Sequence, residues 1–269
     1  MKDRARLYSH LYPKKQQQSM KTFVINLKDA SERKQYMESI LHPYAHFLDI
    51  KFIEAVDGRK FTDEDINELW DEKATYKTYG RTMGGGEIGC ALSHRKCYEA
   101  LLKTEEEMAL IVEDDLMWRI TDIEEVIRKV TPFLQTEQAT IVLLSGDYWF
   151  TSKQKIKGSP WELARIREAV CTQAYIVNRH AAQRMLAMRH QFLADDWFHI
   201  KKQGIKLLGI YPHIADQNRK DFQGGVTATY AGTIRKNLSF VKRLHSYYRA
   251  IVKRMLVYTG HFEYHDFGI

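Results

Sequence analysis

Three consecutive acids, Glu113, Asp114 and Asp115, directly follow the apolar run 108–112. That run predicts a buried strand, so the acids stand at its end, where burying an unpaired carboxylate costs free energy. Alternation along an extended strand would put Glu113 and Asp115 on one face, with Cα atoms about 6.6 Å apart, and Asp114 on the other. Such a carboxylate pair suits a hard divalent cation, Mn²⁺ or Mg²⁺. The alternative, acids that end a strand and pair with nearby Arg or Lys, stays open.

The elements that would position these acids follow from the hydrophobic pattern. Helical patterns lie between most of the predicted strands, including one with Ser31 near its start and one with Thr62 as its N-cap. A third helix follows the triple glycine at 84–86. Alternating strands and helices predict an α/β fold with a mostly parallel sheet flanked by helices. The predicted strands are 22–27, 49–58, 108–115, 139–147, 172–177 and 205–212.

Polar residues end several of these strands. Ligands of open α/β sheets bind beyond the carboxyl ends of the strands. Asn26 follows the first predicted strand, Asp57 and Gly58 end the second, and residues 145–147 end the fourth. We therefore expect a ligand site at the edge where residues 113–115 also lie.

The net charge of +7 is concentrated near the carboxyl end of the sequence. Residues 234–256 contain seven Lys or Arg and no acid, so the rest of the chain sums to zero. A neutral body argues against a nucleic-acid-binding protein. Apolar residues recur at helical spacing in the same segment, which predicts a basic amphipathic helix about 35 Å long within a tail of residues 234–269. We expect this helix to lie on an anionic membrane surface; packing on its own domain is the alternative.

Residues 1–19 lack the apolar core of a signal peptide, and we interpret them as an extension before the domain. No run approaches the ~18 apolar residues that span a bilayer. These features predict a cytoplasmic protein. The three cysteines form no CxxC pair, so neither a zinc site nor a disulfide framework is expected. Cys90 and Cys97 are predicted to be packed as small hydrophobic side chains.

Six motifs in order, FVINLKDASERK, AVDG, GGEIGCALSH, ALIVEDD, TQAYIV and DDWF, resemble glycosyltransferase family 25 over about residues 20–220. This family includes bacterial lipooligosaccharide galactosyltransferases and collagen galactosyltransferase domains. The resemblance implies a GT-A-like, Rossmann-like fold, which we place at residues 20–233. It also implies a UDP-sugar donor, commonly UDP-galactose, a divalent cation and inversion at the anomeric carbon.

Family roles carried onto this sequence make Asp115 the best candidate metal ligand, with Glu113 as the second. The catalytic base would be Asp196, with Asp195 as the second candidate, since two acids here precede Trp197 where the family usually has one. Asp195 could instead be only an N-cap. Donor contacts are expected from Asn26, Arg33, Asp57, Gly58, Glu87, His94 and Asp114.

Two of these donor contacts have structural alternatives. His94 lies on an apolar helix and could be a hydrogen-bonded buried histidine. Glu87 falls in a first helical turn, where an acid favours the helix dipole whatever its function.

The sequence thus predicts a hexosyltransferase acting on a lipooligosaccharide or lipopolysaccharide acceptor, peripheral on the inner face of the bacterial inner membrane. One rival is a metal-dependent nucleotidyltransferase, which uses similar strand-end acids but releases pyrophosphate. The other is a membrane-associated homologue without activity. Retention of the acids at 113–115 and 195–196 argues against the second rival.

Overall fold

The computed structural model describes residues 19–222 and 240–264, with side chains at 19–222 and 244–264. The expected extension therefore lies outside the described residues except for Ser19, as do the parts of the expected tail at 234–239 and 265–269. The strands are β1 (Met20–Asn26), β2 (Leu48–Glu54), β3 (Met108–Glu113), β4 (Leu116–Trp118), β5 (Thr140–Leu143), β6 (Tyr148–Lys155), β7 (Glu162–Ala169), β8 (Ala174–Asn178), β9 (Lys206–Tyr211), β10 (Ala215–Gln217) and β11 (Phe262–Glu263).

The α-helices connect these strands, and three short 3₁₀ helices supplement them. Among the described residues, no helix has both the length and the apolar character needed to cross a bilayer. The α-helices are α1 (Ser31–Leu41), α2 (Asp63–Leu69), α3 (Glu72–Tyr79), α4 (Gly85–Leu102), α5 (Ile123–Val130), α6 (Arg179–Ala187), α7 (Trp197–Lys201) and α8 (Phe240–Tyr258). The 3₁₀ helices are His42–Tyr44, Gly58–Lys60 and Thr131–Phe133.

Nine strands form the central sheet, in the order β11-β6-β7-β9-β5-β8-β3-β1-β2. The strand pairings make β1, β2, β3, β5, β6 and β9 run in one direction and β7, β8 and β11 in the other. The sheet is thus mixed but mostly codirectional. This is the α/β architecture, a sheet flanked by helices, predicted from the sequence.

Both faces of the sheet are covered, as continuous apolar strands require. One core lies under α4, α6 and α7 and includes Ile111 of β3; the other lies under α1 and α5 and includes Leu110 and Val112. Alternate residues of β3 therefore enter opposite cores, and the chain becomes polar only where the strand reaches the edge. Because β1, β2, β3 and β5 are codirectional, their carboxyl ends converge at that edge.

Two parts of the sheet differ from the prediction. A helix was expected between most strands, but an antiparallel hairpin, β6 and β7, joins β5 to β8. The sequence pattern missed it because the outer half of β6 is exposed and polar, while β7 contains the good helix formers Glu162, Leu163 and Ala164. The second difference is β11, which follows α8 and pairs with β6, so the chain after α8 returns to the sheet.

Helix boundaries follow local chemistry where the sequence offered a cap. The Thr62 hydroxyl accepts a hydrogen bond from the Asp65 backbone N–H, and the Asp65 carboxylate accepts one from the Thr62 backbone N–H, which completes a capping box at the start of α2. The predicted N-cap is therefore confirmed. Helix α1 begins at Ser31 as expected, although no side chain caps it.

Candidate functional site

The acids after β3 lie in a turn rather than in an extended strand. β3 ends at Glu113, and Asp114 and Asp115 form the turn before β4. The expected alternation of faces is therefore wrong beyond Glu113. Asp favours turns because its carboxylate competes for nearby backbone groups. Arg33 contacts both turn carboxylates, at 2.8 Å from Asp114 Oδ1 and 3.3 Å from Asp115 Oδ2.

Asp114 has hydrogen-bond partners for both carboxylate oxygens. Arg33 donates to Oδ1, and Asn26 at the end of β1 donates to Oδ2 at 2.9 Å. These bonds tie β1 and α1 to the turn. Two of the residues expected to bind the donor, Asn26 and Arg33, thus contact a third, Asp114.

Asp115 is buried with one oxygen left over. Its Oδ2 accepts from Gln217 at 2.8 Å as well as from Arg33, whereas Oδ1 accepts no hydrogen bond from any described residue. The residue is 4% exposed, and burial, followed by the charge of Glu113, raises the pKa of Asp115 to about 6. A buried acceptor without a partner costs about 1–3 kcal/mol. A cation ligated by Oδ1 would remove that cost, so this carboxylate fits a metal site.

Glu113 turns towards α4 and β8. Its Oε1 lies 3.3 Å from His94 Nε2 and accepts a hydrogen bond from the Thr172 hydroxyl. Burial acts to raise the pKa of Glu113, but the hydrogen bond and charge of His94 outweigh it, and the pKa is lowered. The Tyr175 hydroxyl lies 2.8 Å from His94 Nδ1. His94 is therefore a buried histidine with a partner on each ring nitrogen, and it lies in direct contact with the site.

Cys90 extends this cluster. Its sulfur, a ring nitrogen of His94 and a carboxylate oxygen of Glu113 all lie within 4.8 Å of one another. The expected packing role holds for Cys97, which is fully buried in the core, but Cys90 faces the site instead. The spacing of four residues between Cys90 and His94 was the available signal, since it places both side chains on one helix face.

Asp57 and Gly58 lie in the loop after β2. Asp57 accepts from Arg59 Nε at 2.6 Å and lies 3.2 Å from Lys60 Nζ, and these bonds lower its pKa. Gly58 packs against the start of α4, where a Cβ would lie 1.7 Å from the Gly85 carbonyl oxygen. This contact brings the loop against the helix that carries Cys90 and His94, and only glycine allows it.

Glu87 lies in the first turn of α4. It forms a two-pronged ion pair with Arg81, at 2.6 and 2.8 Å, and accepts from the Gly84 backbone N–H at 3.0 Å. The carboxylate thus closes the glycine turn as a capping residue and holds Arg81 near the loop at 195–196. It makes no hydrogen bond with residues 113–115.

Asp196 caps α7 and is fully engaged. Its oxygens accept from the His199 backbone N–H at 3.2 Å, from His199 Nδ1 at 2.6 Å and from the Tyr79 hydroxyl. Burial opposes ionisation, yet the hydrogen bonds from His199 and Tyr79 lower the pKa of Asp196. The N-cap role that the sequence left open for Asp195 therefore belongs to Asp196.

Asp195 has the opposite electrostatic setting. Burial, then the charges of Asp196 and Glu113, raise the pKa of Asp195, against a hydrogen bond from the backbone of Cys171. The effect of Glu113 connects this loop with the carboxylates after β3. The charge of Glu113 thus acts on Asp195, so the two sets of acids predicted from separate motifs lie within electrostatic reach of each other.

A cavity of about 1310 Å³ opens beside Asp195 and Asp196. Lys73 and Lys77 of α3 lie on one side of it and Arg249 of α8 on another. Both lysines are exposed and, within the described residues, neither has an ion-pair partner, although acids including Asp71 also line the cavity. The aromatic rings of Phe192 and Phe198 also line the cavity.

Helix α8 is held beside the cavity by ion pairs from two of its basic residues to Glu168 of β7. Arg249 donates to Glu168 at 2.6 Å and stacks 3.7 Å from the centre of the Phe198 ring. Lys253 lies 3.2 Å from Glu168 and 4.2 Å from the centre of the Trp149 ring. The cations of α8 at these positions therefore face the domain rather than solvent.

Some contact residues of the site were not identified from the sequence. Thr172 and Tyr79 have side chains too common to stand out, and Gln217 reaches Asp115 from β10, roughly a hundred positions away. Only the paired arrangement of β10 and β4, with Gln217 opposite Leu116, brings that contact about.

Comparisons with known proteins give the same family as the motifs. The model of "Glycosyltransferase family 25 (LPS biosynthesis protein)" matches residues 19–198. Human procollagen galactosyltransferase 2 is 26% identical over 172 residues, which cover 61% of this chain and 27% of that protein. Procollagen galactosyltransferase 1-B of Xenopus laevis is 32% identical over 101 residues, covering 36% and 16%.

A glycosyltransferase 25 family member of Drosophila pseudoobscura pseudoobscura is 25% identical over 175 residues, covering 62% of this chain and 27% of that protein. The matched region is thus about a quarter of the length of such relatives. The family match covers two thirds of this chain and includes the turn after β3, the α4 cluster and the loop at 195–196. The chain therefore belongs to glycosyltransferase family 25.

Proposed function

We propose that this protein is an inverting, metal-dependent glycosyltransferase that moves a hexose, galactose, from a UDP-sugar to a saccharide acceptor of lipopolysaccharide or lipooligosaccharide. The observation that carries the proposal is the buried carboxylate of Asp115, whose Oδ1 has no partner among the described residues. Family membership supports glycosyl transfer, and two of the three relatives named above are procollagen galactosyltransferases.

Asp115 and Glu113 would hold the cation, Mn²⁺ or Mg²⁺. When bound, such an ion neutralises the charge that develops on the UDP leaving group. Asp115 offers its free Oδ1, and Glu113 offers the carboxylate now shared with His94 and Thr172. Oxygen ligands of this kind suit both ions.

The donor would lie along the carboxyl ends of β1, β2 and β3. Arg33, which now bridges Asp114 and Asp115, supplies a cation beside the place of the diphosphate. Asp114 fixes Arg33 and Asn26 in that position. The loop from Asp57 to Gly58 closes the far end, towards the nucleoside. Glu87 contributes by holding the glycine turn, and His94 by orienting Glu113.

The base that removes the proton from the attacking acceptor hydroxyl would be one of the two acids before Trp197. Asp196 is the first candidate by sequence, but its carboxylate is occupied by His199 and Tyr79. The geometry favours Asp195, because burial and neighbouring acids raise its pKa, which strengthens a carboxylate as a base. Asp196 then positions the loop by capping α7.

The cavity beside Asp195 would receive the acceptor. Lys73 and Lys77 face it without ion-pair partners in the described chain, which favours a saccharide that carries phosphate or carboxylate groups. Phe192 and Phe198 offer apolar faces against which sugar rings can pack. Anionic sugars of this kind fit the acceptor proposed above.

Helix α8 would hold the enzyme against an anionic membrane. While Arg249 and Lys253 face the domain, a stripe of apolar side chains faces outward, and Arg254 is exposed beside it. Such a helix suits a membrane–water interface. In the proposed function it binds the inner face of a bacterial inner membrane, where the lipid-anchored acceptor lies. The rest of segment 234–256, residues 234–239, lies outside the described residues. The outward stripe consists of Leu244, Tyr247, Tyr248, Ile251, Met255 and Tyr258.

The test is release of UDP from a panel of UDP-sugars, with Mn²⁺ or with EDTA, by the wild type and Asp115→Ala. We expect one donor to be hydrolysed slowly, only with the metal and only by the wild type. Release of pyrophosphate from nucleoside triphosphates would identify a nucleotidyltransferase instead. If the protein neither turns over nor binds any of the donors, it does not have this activity.

A further inference from the structure

The cluster of Cys90, His94 and Glu113 has a composition that the donor cation does not require. Mn²⁺ and Mg²⁺ prefer oxygen, whereas a thiolate together with an imidazole suits Zn²⁺ and similar softer ions. We propose that these three side chains form a second metal site, which takes Zn²⁺ and shares Glu113 with the donor site.

The helix and the strand end supply the ligands from two directions. Cys90 and His94 are four residues apart on α4, and Glu113 ends β3 directly opposite them. All three ligand atoms lie within 4.8 Å of one another. Two nitrogen or oxygen ligands of a tetrahedral zinc ion lie about 3.4 Å apart. His94 Nε2 and Glu113 Oε1 are 3.3 Å apart, so this pair already has the required separation.

Further contacts orient the ligands. Zinc-binding histidines usually use their second ring nitrogen to contact an oxygen, which fixes the ring. His94 Nδ1 lies 2.8 Å from the Tyr175 hydroxyl, which leaves Nε2 for a metal. The Thr172 hydroxyl donates to Glu113 in the same way. On binding, the Cys90 thiol proton and the proton on His94 Nε2 pass to water, His94 Nδ1 carries the ring proton towards the Tyr175 hydroxyl, and a water molecule fills the fourth position.

Sharing Glu113 has a consequence that rests on the proposed function. An ion held by Cys90 and His94 draws Glu113 away from the donor cation at Asp115. Zinc bound here would therefore inhibit metal-dependent use of the donor, and removal of Cys90 would relieve the inhibition.

The direct test is titration of Co²⁺, a spectroscopic substitute for Zn²⁺, into the full-length protein. A bound thiolate gives an intense near-ultraviolet charge-transfer band, which we expect for the wild type and which added Zn²⁺ should abolish. Cys90→Ser and Cys90→Ala should both lose the band. Cys171→Ser, which removes another partly buried thiol, should keep it, and so should Asp115→Asn.

Two further variants separate ligation from folding. Tyr175→Phe keeps all three ligands and removes only the hydroxyl, so we expect the band to remain while cobalt binds about tenfold more weakly. His94→Gln should weaken binding further. No band in the wild type, or an unchanged band in both Cys90 variants, would overturn the site.

The predicted inhibition by Zn²⁺ is tested by measuring the rate of UDP release at a fixed Mn²⁺ concentration while the Zn²⁺ concentration is increased. Wild type should be inhibited, whereas Cys90→Ser should keep its own zinc-free rate at the same Zn²⁺ concentrations. Equal inhibition of both would refute the shared use of Glu113. If no donor is turned over at all, the proposed function fails, and the cobalt spectrum still decides whether the metal site exists.

Discussion

Two pairs of adjacent acids, one after β3 and one before α7, are built on the same plan. In each pair one carboxylate is fully hydrogen-bonded: Asp114 by Arg33 and Asn26, and Asp196 by His199 and Tyr79. The other member, Asp115 or Asp195, has a raised pKa, and burial also raises the pKa of Asp114, whereas the pKa of Asp196 is lowered. The bonded acid holds the local structure, and its neighbour is left available for chemistry.

The pairs differ in what surrounds the available acid. Asp115 lies beside Arg33 and Glu113 at the converging strand ends, where the proposed function puts the cation and the diphosphate. Asp195 opens into the cavity lined by Lys73 and Lys77, a setting for an acceptor. In the proposed function, Asp115, with one unpaired carboxylate oxygen, serves the donor, and Asp195 serves the acceptor.

The largest effect is expected from Asp195→Asn. If Asp195 is the base, transfer falls by about 10²–10⁴-fold, while Mn²⁺-dependent UDP binding is unchanged. Transfer rates and UDP affinity should be measured on the same preparation. Transfer that stays near the wild-type rate would rule out Asp195.

The matched control is Asp196→Asn, since asparagine caps a helix as well as aspartate does. We expect a smaller loss of transfer because the cap survives and the base remains. If this variant instead abolishes transfer and Asp195→Asn does not, the base is Asp196, as the sequence first indicated.

The pH dependence of transfer sharpens the same comparison. Because the pKa of Asp195 is raised, the base becomes protonated at a higher pH than an ordinary aspartate, and the rate falls as pH decreases through that pKa. Asp196→Asn removes the neighbouring negative charge that contributes to the shift. The acid limb of its profile should therefore move to lower pH, and a limb that does not move would contradict the assignment.

A moderate effect on stability is expected from breaking the ion pair between Glu168 of β7 and Arg249 of α8. Glu168 is 5% exposed and holds Arg249 and Lys253, so Arg249→Gln leaves a buried carboxylate with fewer partners. We expect a loss of about 1–3 kcal/mol in the free energy of unfolding. Arg254→Gln, an exposed position on the same helix, is the control, and equal losses for the two variants would show that the ion pair adds nothing.

The smallest effect is expected from the outward face of α8. Ile251→Ser combined with Met255→Ser keeps the charge but removes exposed apolar surface, so binding to anionic liposomes should fall about tenfold. Leu69→Ser, at an exposed position of α2, is the matched control. Unchanged sedimentation of the double variant with liposomes would remove the membrane from the proposal.

The sequence predicted the elements whose patterns are local. The apolar run before Glu113 became a buried strand, Thr62 became a cap, and Glu113 lies within electrostatic reach of Asp195. Sequence patterns could not predict contacts between residues far apart in the chain, such as the hydrogen bond from Gln217 to Asp115. They also could not predict the turn that brings Asp114 and Asp115 both into contact with Arg33. The hairpin of β6 and β7 was missed because its residues carry helix propensity and exposed polar side chains, which the pairing of strands overrides.

Mn²⁺ binding followed by electron paramagnetic resonance, in the presence of UDP, tests the central claim most directly. We predict that the wild type and Asp195→Asn bind one Mn²⁺ in a UDP-dependent manner, whereas Asp115→Asn does not. Binding by Asp115→Asn as tight as that of the wild type would contradict the account, because the free oxygen of Asp115 would then have no part in holding the cation.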